Sequence, residues 1–239
     1  MQEVISLAGI KKSYFLGKQE LPVLAPLAEL EIRRTDSPAL MAALNQISEE
    51  DARLRFSNDN LAFVAYWNGS PAAFGWMAVG KARIGELNHE FVLPESHRYL
   101  WNFRTLAEFR GKGIYPRLLQ YIMASDLALA ECFWIMHAPE NTASEIGIRK
   151  AGFELVSQVS VVEGGEVILK SANPSTELQV LMEYGDFINS LREQASCWNC
   201  SSPFLKNRSE KCCCSEKKVE CNGSRFQGSF QIENMSNQV

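Results

Sequence analysis

Arg110-Gly111-Lys112-Gly113 is the stretch whose residue types and spacing could do chemistry. Two glycines separated by one residue reach φ values closed to other residues. A backbone turned that way aims successive N–H groups at one point, and a following helix adds the positive end of its dipole. Lys112 and Arg110 bring further positive charge. The combination suits an anion such as a phosphate, although an ordinary β–α turn would also want glycine here.

The flanking residues supply the elements that must position this loop. Tyr99, Leu100, Trp101 and Phe103 have strand-forming bulk, and the strand expected over 99–105 feeds straight into the loop. Pro116 suits a first helical turn. Leu118, Leu119, Ile122, Met123 and Leu127 then recur at helical spacing. Ligands of open α/β sheets bind at the carboxyl ends of strands, where this loop falls.

Earlier in the chain, a strand is expected over 28–34. A helix capped by Ser37 with Pro38 in its first turn follows, then a second short helix opened by Ser48-x-x-Asp51. Asn68-Gly69 predicts a hairpin between 61–67 and 72–79, since both central residues tolerate positive φ. Residues 81–97 carry no clear pattern. After the central helix come a strand over 132–137, a helix with a Thr142-x-x-Glu145 capping box closed by Gly152, and two strands flanking Gly164-Gly165. A last helix is expected over 178–191, weakened by Gly185.

The turn Arg110–Tyr115 resembles the pyrophosphate loop of the GNAT superfamily of acyl-CoA N-acyltransferases, Arg/Gln-x-x-Gly-x-Gly/Ala. Arg110 and Gly113 match it, while Tyr115 stands where a small residue is usual. The segment from Asn141 to Lys150-Ala151-Gly152-Phe153 resembles the family's later helix, which ends in Lys-x-Gly-Phe. Together the two matches cover about residues 29–170. The resemblance implies an α/β fold: a mixed, mostly antiparallel sheet with helices on both faces, splayed between its fourth and fifth strands, here 99–105 and 132–137. It implies acetyl-CoA as co-substrate and a small primary amine as acceptor, with an amino sugar, an amino acid and a small polyamine all open. Main-chain atoms of Phe103, Arg104 and Thr105 would orient the thioester. The N–H groups of Arg110, Gly111, Lys112, Gly113, Ile114 and Tyr115 would hold the diphosphate, and Asn141 would lie near the pantetheine end.

An amine with a pKa near 10 must lose a proton before it attacks. Glu90 is the first candidate base, ahead of Glu86, His89 and His97, and His137 ends the strand bordering the cleft. Many relatives carry a tyrosine at the position of Ile148 to protonate the leaving thiolate; Tyr115, Tyr121 or water would have to replace it. The rival function is a non-catalytic acyl-CoA-binding scaffold.

The 239 residues suggest a domain over 28–194 between a 27-residue N-terminal extension and a Cys-rich C-terminal tail, 195–239. An apolar fraction of 46% is enough for a core, and a net charge of −4 disfavours nucleic acid as a partner. With no membrane span or basic leader in the pattern, the expectation is a cytoplasmic protein, with a homodimer left open. In the tail, Cys197-x-x-Cys200 with Cys212 and Cys214 suggests a zinc site, or a thiol-rich segment that docks a protein partner.

Overall fold

The computed structural model describes residues 10–16, 23–85, 89–138, 141–161 and 167–189. Eleven strands and five helices follow in order: β1 (Ile10–Leu16), β2 (Leu30–Thr35), α1 (Pro38–Asn45), α2 (Glu49–Ser57), β3 (Asn60–Trp67), β4 (Ser70–Val79), β5 (Lys81–Ile84), β6 (His89–Val92), β7 (His97–Thr105), α3 (Ile114–Asp126), β8 (Cys132–His137), α4 (Thr142–Lys150), β9 (Glu154–Val161), β10 (Val167–Ser171), α5 (Thr176–Tyr184) and β11 (Ile188–Asn189). Nine strands make one mixed sheet in the order β11-β10-β9-β1-β8-β7-β4-β3-β2. Its neighbours are antiparallel except β7–β8 and β10–β11.

Local chemistry explains most element ends. Ser37 Oγ accepts from the Leu40 N–H and starts α1. Ser48 and Asp51 form a reciprocal capping box at α2. Asn68 (φ 48°) and Gly69 (φ 80°) turn β3 into β4 with two left-handed residues.

Each side of the sheet is covered. Leu118, Leu119, Ile122 and Met123 of α3, with Ile148 of α4, pack on Leu100, Phe133 and Ile135. On the other face, Met41 of α1 and Ala52 of α2 close over Phe74 and Trp76. Further along that face, Trp134, Phe91 and Leu181 join β8, the β5–β6 hairpin and α5. Alternation along β8 sends Phe133 and Ile135 to one layer and Trp134 and Met136 to the other.

Four local expectations change. Residues 81–97, which carried no pattern, hold a separate two-stranded sheet, β5 with β6. α4 is capped by Asn141, whose Oδ1 accepts from the Ser144 N–H at 3.0 Å, and so begins with Thr142 inside it. The last helix stops at Tyr184 rather than 191: the Gly185 N–H donates to the Leu181 carbonyl as its C-cap, Asp186 turns left-handed at φ 53°, and the chain runs into β11. Residues 1–27 contribute β1, which lies in the main sheet between β8 and β9. The Gly164-Gly165 turn lies outside the described residues.

Candidate functional site

β7 and β8 run parallel only from His97↔Cys132 to Leu100↔Ile135. Beyond Leu100 the main chain of β7 has no β8 partner, and the sheet opens. On its other edge β7 stays with β4, but Trp76 pairs with Trp101 and Phe74 with Arg104. Gly75 therefore faces two residues, Asn102 and Phe103. This is a β-bulge, and Asn102 adopts φ 51° to make it. Trp101 and Asn102 consequently face the α1–α2 side in succession, while Phe103 turns to the α3 side, where its ring lies 5.5 Å from that of Tyr115.

Gly75 exists at this point for steric reasons. A Cβ there would lie inside van der Waals contact of the Phe103 ring. Gly147 of α4 does the same for Tyr115, whose ring would meet any Cβ at that position. The Tyr115 hydroxyl lies 3.3 Å from Ser144 Oγ, and burial pushes its pKa up. Tyr115 thus bridges α3 and α4 beside the bulge. Tyr121 points elsewhere, against Phe63.

The loop follows a single turn at Ala107–Phe109. Gly111 (φ 78°) and Gly113 (φ 71°) are both left-handed. Gly113 is the N-cap of α3, no side chain caps that helix, and its first turn holds no acidic residue. The first N–H groups of α3 are therefore left for a ligand. A Cβ at Gly111 would meet nothing within 4 Å, so the turn has free space over it. Arg110 Nε donates to the Thr105 carbonyl at 3.3 Å and ties the loop to the end of β7. The Lys112 ammonium rests 4.8 Å from the centre of the Trp67 ring. This donor set fits a diphosphate: unpaired N–H groups, a helix N-terminus and two cations.

Phe103, Arg104, Thr105 and Arg110 to Tyr115 come together at the open end of β7. Asn141 stands across the opening as the α4 cap. Glu90 lies on β6, with its side chain exposed and 3.8 Å from Arg83. The neighbouring Phe91 packs edge-on against Tyr99 of β7, 5.4 Å between ring centres. His137 closes β8 and is buried. Its Nδ1 lies 2.6 Å from the Ala138 carbonyl, and its Nε2 lies 3.1 Å from the Tyr14 hydroxyl. Glu86, Cys197, Cys200, Cys212 and Cys214 lie outside the described residues. Among the described ones, no group of three His, Cys, Asp or Glu residues could hold a metal.

His89 and His97 are both hydrogen-bonded within the fold. Trp134 Nε1 donates to His97 Nδ1 at 3.2 Å, and His89 Nε2 lies 3.1 Å from the Gly185 carbonyl. Burial is the main cause that lowers both pKa values. Glu177 and Glu131 oppose it at His97; the Gly185 carbonyl and Asp186 oppose it at His89. Below the unfolded value of about 6.5, the unfolded chain takes up protons that the folded chain refuses. Stability is thus complete above that pH and falls as pH drops toward the depressed folded values. Thermal midpoints measured from pH 8 to 5 are expected to decline through this window, and a His97→Gln variant to decline less.

A depression of about 590 Å³ lined by Val79, Arg98, Asp126 and Asp59 lies at the opposite end of β7, and its buried Arg98–Asp126 pair is already satisfied. Sequence reasoning missed Asn102, Gly75 and Tyr14. A glycine inside an otherwise apolar strand was the available signal for the bulge.

The model of the acetyltransferase (GNAT) family matches residues 27–153, more than half of the chain. No curated protein matches it. Among solved structures, a GCN5-related N-acetyltransferase from Kribbella flavida is 19% identical, covers 62% of this chain and 56% of its own, and superposes with a TM-score of 0.45. A putative GNAT acetyltransferase from Novosphingobium aromaticivorans is 14% identical, with coverages of 64% and 62% and a TM-score of 0.47. A predicted acetyltransferase from Clostridium acetobutylicum, solved with acetyl-CoA, is 14% identical, with coverages of 52% and 90% and a TM-score of 0.39. The chain thus spans about three fifths of the length of the first two.

Proposed function

Since the chain belongs to the GNAT acetyltransferase family, we propose that it moves an acetyl group from acetyl-CoA to the primary amine of a small substrate. The observation that carries this reading is the uncapped N-terminus of α3 behind the Gly111–Gly113 turn, at the end of β7 where the sheet opens. The diphosphate of the donor sits on that turn, and its acyl arm enters the opening toward the bulge. Main-chain groups of 103–105 orient the thioester carbonyl.

The amine attacks directly. Its nitrogen bonds to the acetyl carbon, the carbon–sulfur bond breaks, and the electron pair leaves on sulfur. Among the described residues the only cysteine is Cys132, buried in β8, so no covalent acyl-enzyme is needed. The amine proton leaves to water. Glu90 is exposed beside Arg83, and both ring nitrogens of His137 are engaged, which suits His137 to fixing the end of β8.

A second reading, an acyl-CoA-binding protein without turnover, is favoured by Ile148, which is fully buried and has no proton to give. Calorimetric titration with acetyl-CoA and product analysis across an amine panel test both. Binding with acetylated product is the expected result. Binding without product in any case supports the second reading, and no binding removes both. No helix among the described residues is long and apolar enough to cross a membrane.

A further inference from the structure

The arginines of this chain fall into two groups. Arg33, Arg34, Arg53, Arg83, Arg98 and Arg149 each lie within 4.0 Å of a carboxylate oxygen. Among the described residues Arg55, Arg104, Arg110 and Arg117 do not. Arg110 and Arg117 bond main-chain carbonyls around the diphosphate loop, of Thr105 for the first and of Gly113 and Ala25 for the second. Arg55 and Arg104 stand instead on the α1–α2 side of the bulge, the side away from the diphosphate loop's helix.

A continuous set of contacts joins them. Arg104 Nη1 donates to Gln46 Oε1 at 3.2 Å. The neighbouring Asn45 Oδ1 accepts from Arg55 Nη1 at 3.2 Å, from Trp76 Nε1 at 3.3 Å and from Asn102 Nδ2 at 2.7 Å. The Arg55 guanidinium lies over the rings of Trp76 (5.3 Å) and Trp101 (4.8 Å). Asn45 and Gln46 are successive residues at the end of α1, and Asn102 and Arg104 share one face of β7. Two positive charges therefore border the same side of the bulge: Arg104 is exposed and bonds a neutral amide oxygen, while half-buried Arg55 bonds an amide oxygen and two aromatic faces, with the Asp51 carboxylate beyond ion-pair contact. Arginine keeps its charge even where burial opposes it, as at Arg55. A cation with no counter-ion in contact attracts an incoming anion and repels an incoming cation.

We infer that the acceptor amine also carries a carboxylate, which Arg104 binds while Arg55 adds a second positive charge behind it. The inference deepens the proposed acetyl transfer and rests on it. It separates the acceptor classes the family resemblance leaves open: amino-acid-like amines fit, polyamines bring further positive charge to a positive wall, and amino sugars without a carboxylate lack the partner Arg104 would bind.

The test compares kcat/KM for the twenty amino acids, their carboxamides, the matching decarboxylated amines and spermidine, all with acetyl-CoA. The carboxamide amine is the less basic, so more of it is neutral at pH 7, and a preference for the acid runs against intrinsic reactivity. The expected preference of the best acid over its amide is about 10- to 100-fold, the worth of a charged hydrogen bond. That ratio is expected to fall close to one in Arg104→Gln, mainly through KM. Arg104→Glu is expected to reverse it in favour of spermidine, a gain that structural damage would not produce. Amides or spermidine used as well as acids overturn the inference, as does transfer to none of the acids. Acetyl-CoA binding with transfer to the non-acidic amines leaves the proposed activity standing; absence of acetyl-CoA binding removes that activity itself.

Discussion

Gly113→Asp is expected to weaken acetyl-CoA binding about 100-fold or more while the protein stays folded. Gly113 caps α3 at φ 71°, and a Cβ placed there would lie 2.7 Å from Arg117 Nη1, which donates to the Gly113 carbonyl. Aspartate tolerates left-handed backbone better than most residues, and the Arg117 side chain has room to shift, so the strain is modest. The charge is the larger effect. A carboxylate about 5 Å from a phosphate, at an effective dielectric of about 20, costs roughly 3 kcal/mol per charge pair, or a factor near 10². Gly113→Ala carries the strain without the charge and isolates it. Calorimetry on both variants reads the difference. Equal loss in both would assign the effect to strain, and no loss in either would place the diphosphate elsewhere.

Gly75→Ala is expected to lose most of the turnover with acetyl-CoA affinity largely kept. The added methyl group meets the Phe103 ring, and the ring has Tyr115 and Gly147 behind it. Overpacking of this kind costs about 1–3 kcal/mol of stability. The functional loss should exceed what that destabilisation explains, because the strain falls on the two residues that make the bulge and aim the main chain of 103–105. A drop in kcat of at least tenfold is expected, a loss of about 1.4 kcal/mol in transition-state stabilisation. Phe103→Leu in the Gly75→Ala background should return part of it by clearing the space. If the double variant is no better than the single one, contact with Phe103 is not the cause.

What the sequence made legible was the chemistry that acts over a few residues. Asn68-Gly69 wrote its own turn, Ser37 and Ser48 capped their helices, and Cys132–His137 was found to the residue because a strand buried on both faces reads as a nearly unbroken apolar run. The loop from Arg110 to Gly113 was visible for the same reason: its conformation is set by its own glycines. Longer-range features were not. β1 carries Lys11, Lys12 and Ser13 among its apolar residues, and its partners lie more than a hundred positions away, so no local pattern marks it. Asn102 bends β7 because of what faces it across β4. Arg104 was expected to serve through its main chain, and its side chain drew notice only once Gln46 was seen beneath it. Glu90 sits on a hairpin whose place no periodicity announces.

The position of β1 also sets an order of events during synthesis. Lys12 pairs with His137 on one side and with Gln158 on the other, so β1, made before either partner, must wait for the later strands before it has a place. Until then both β8 and β9 present bare edges, and a nascent chain caught at that stage is open to pairing with another copy. Such long-separation contacts slow folding. Closure by β1 is therefore a late step that joins β9–β11 to the rest of the main sheet, and a chain lacking β1 would have its nine-stranded sheet divided in two.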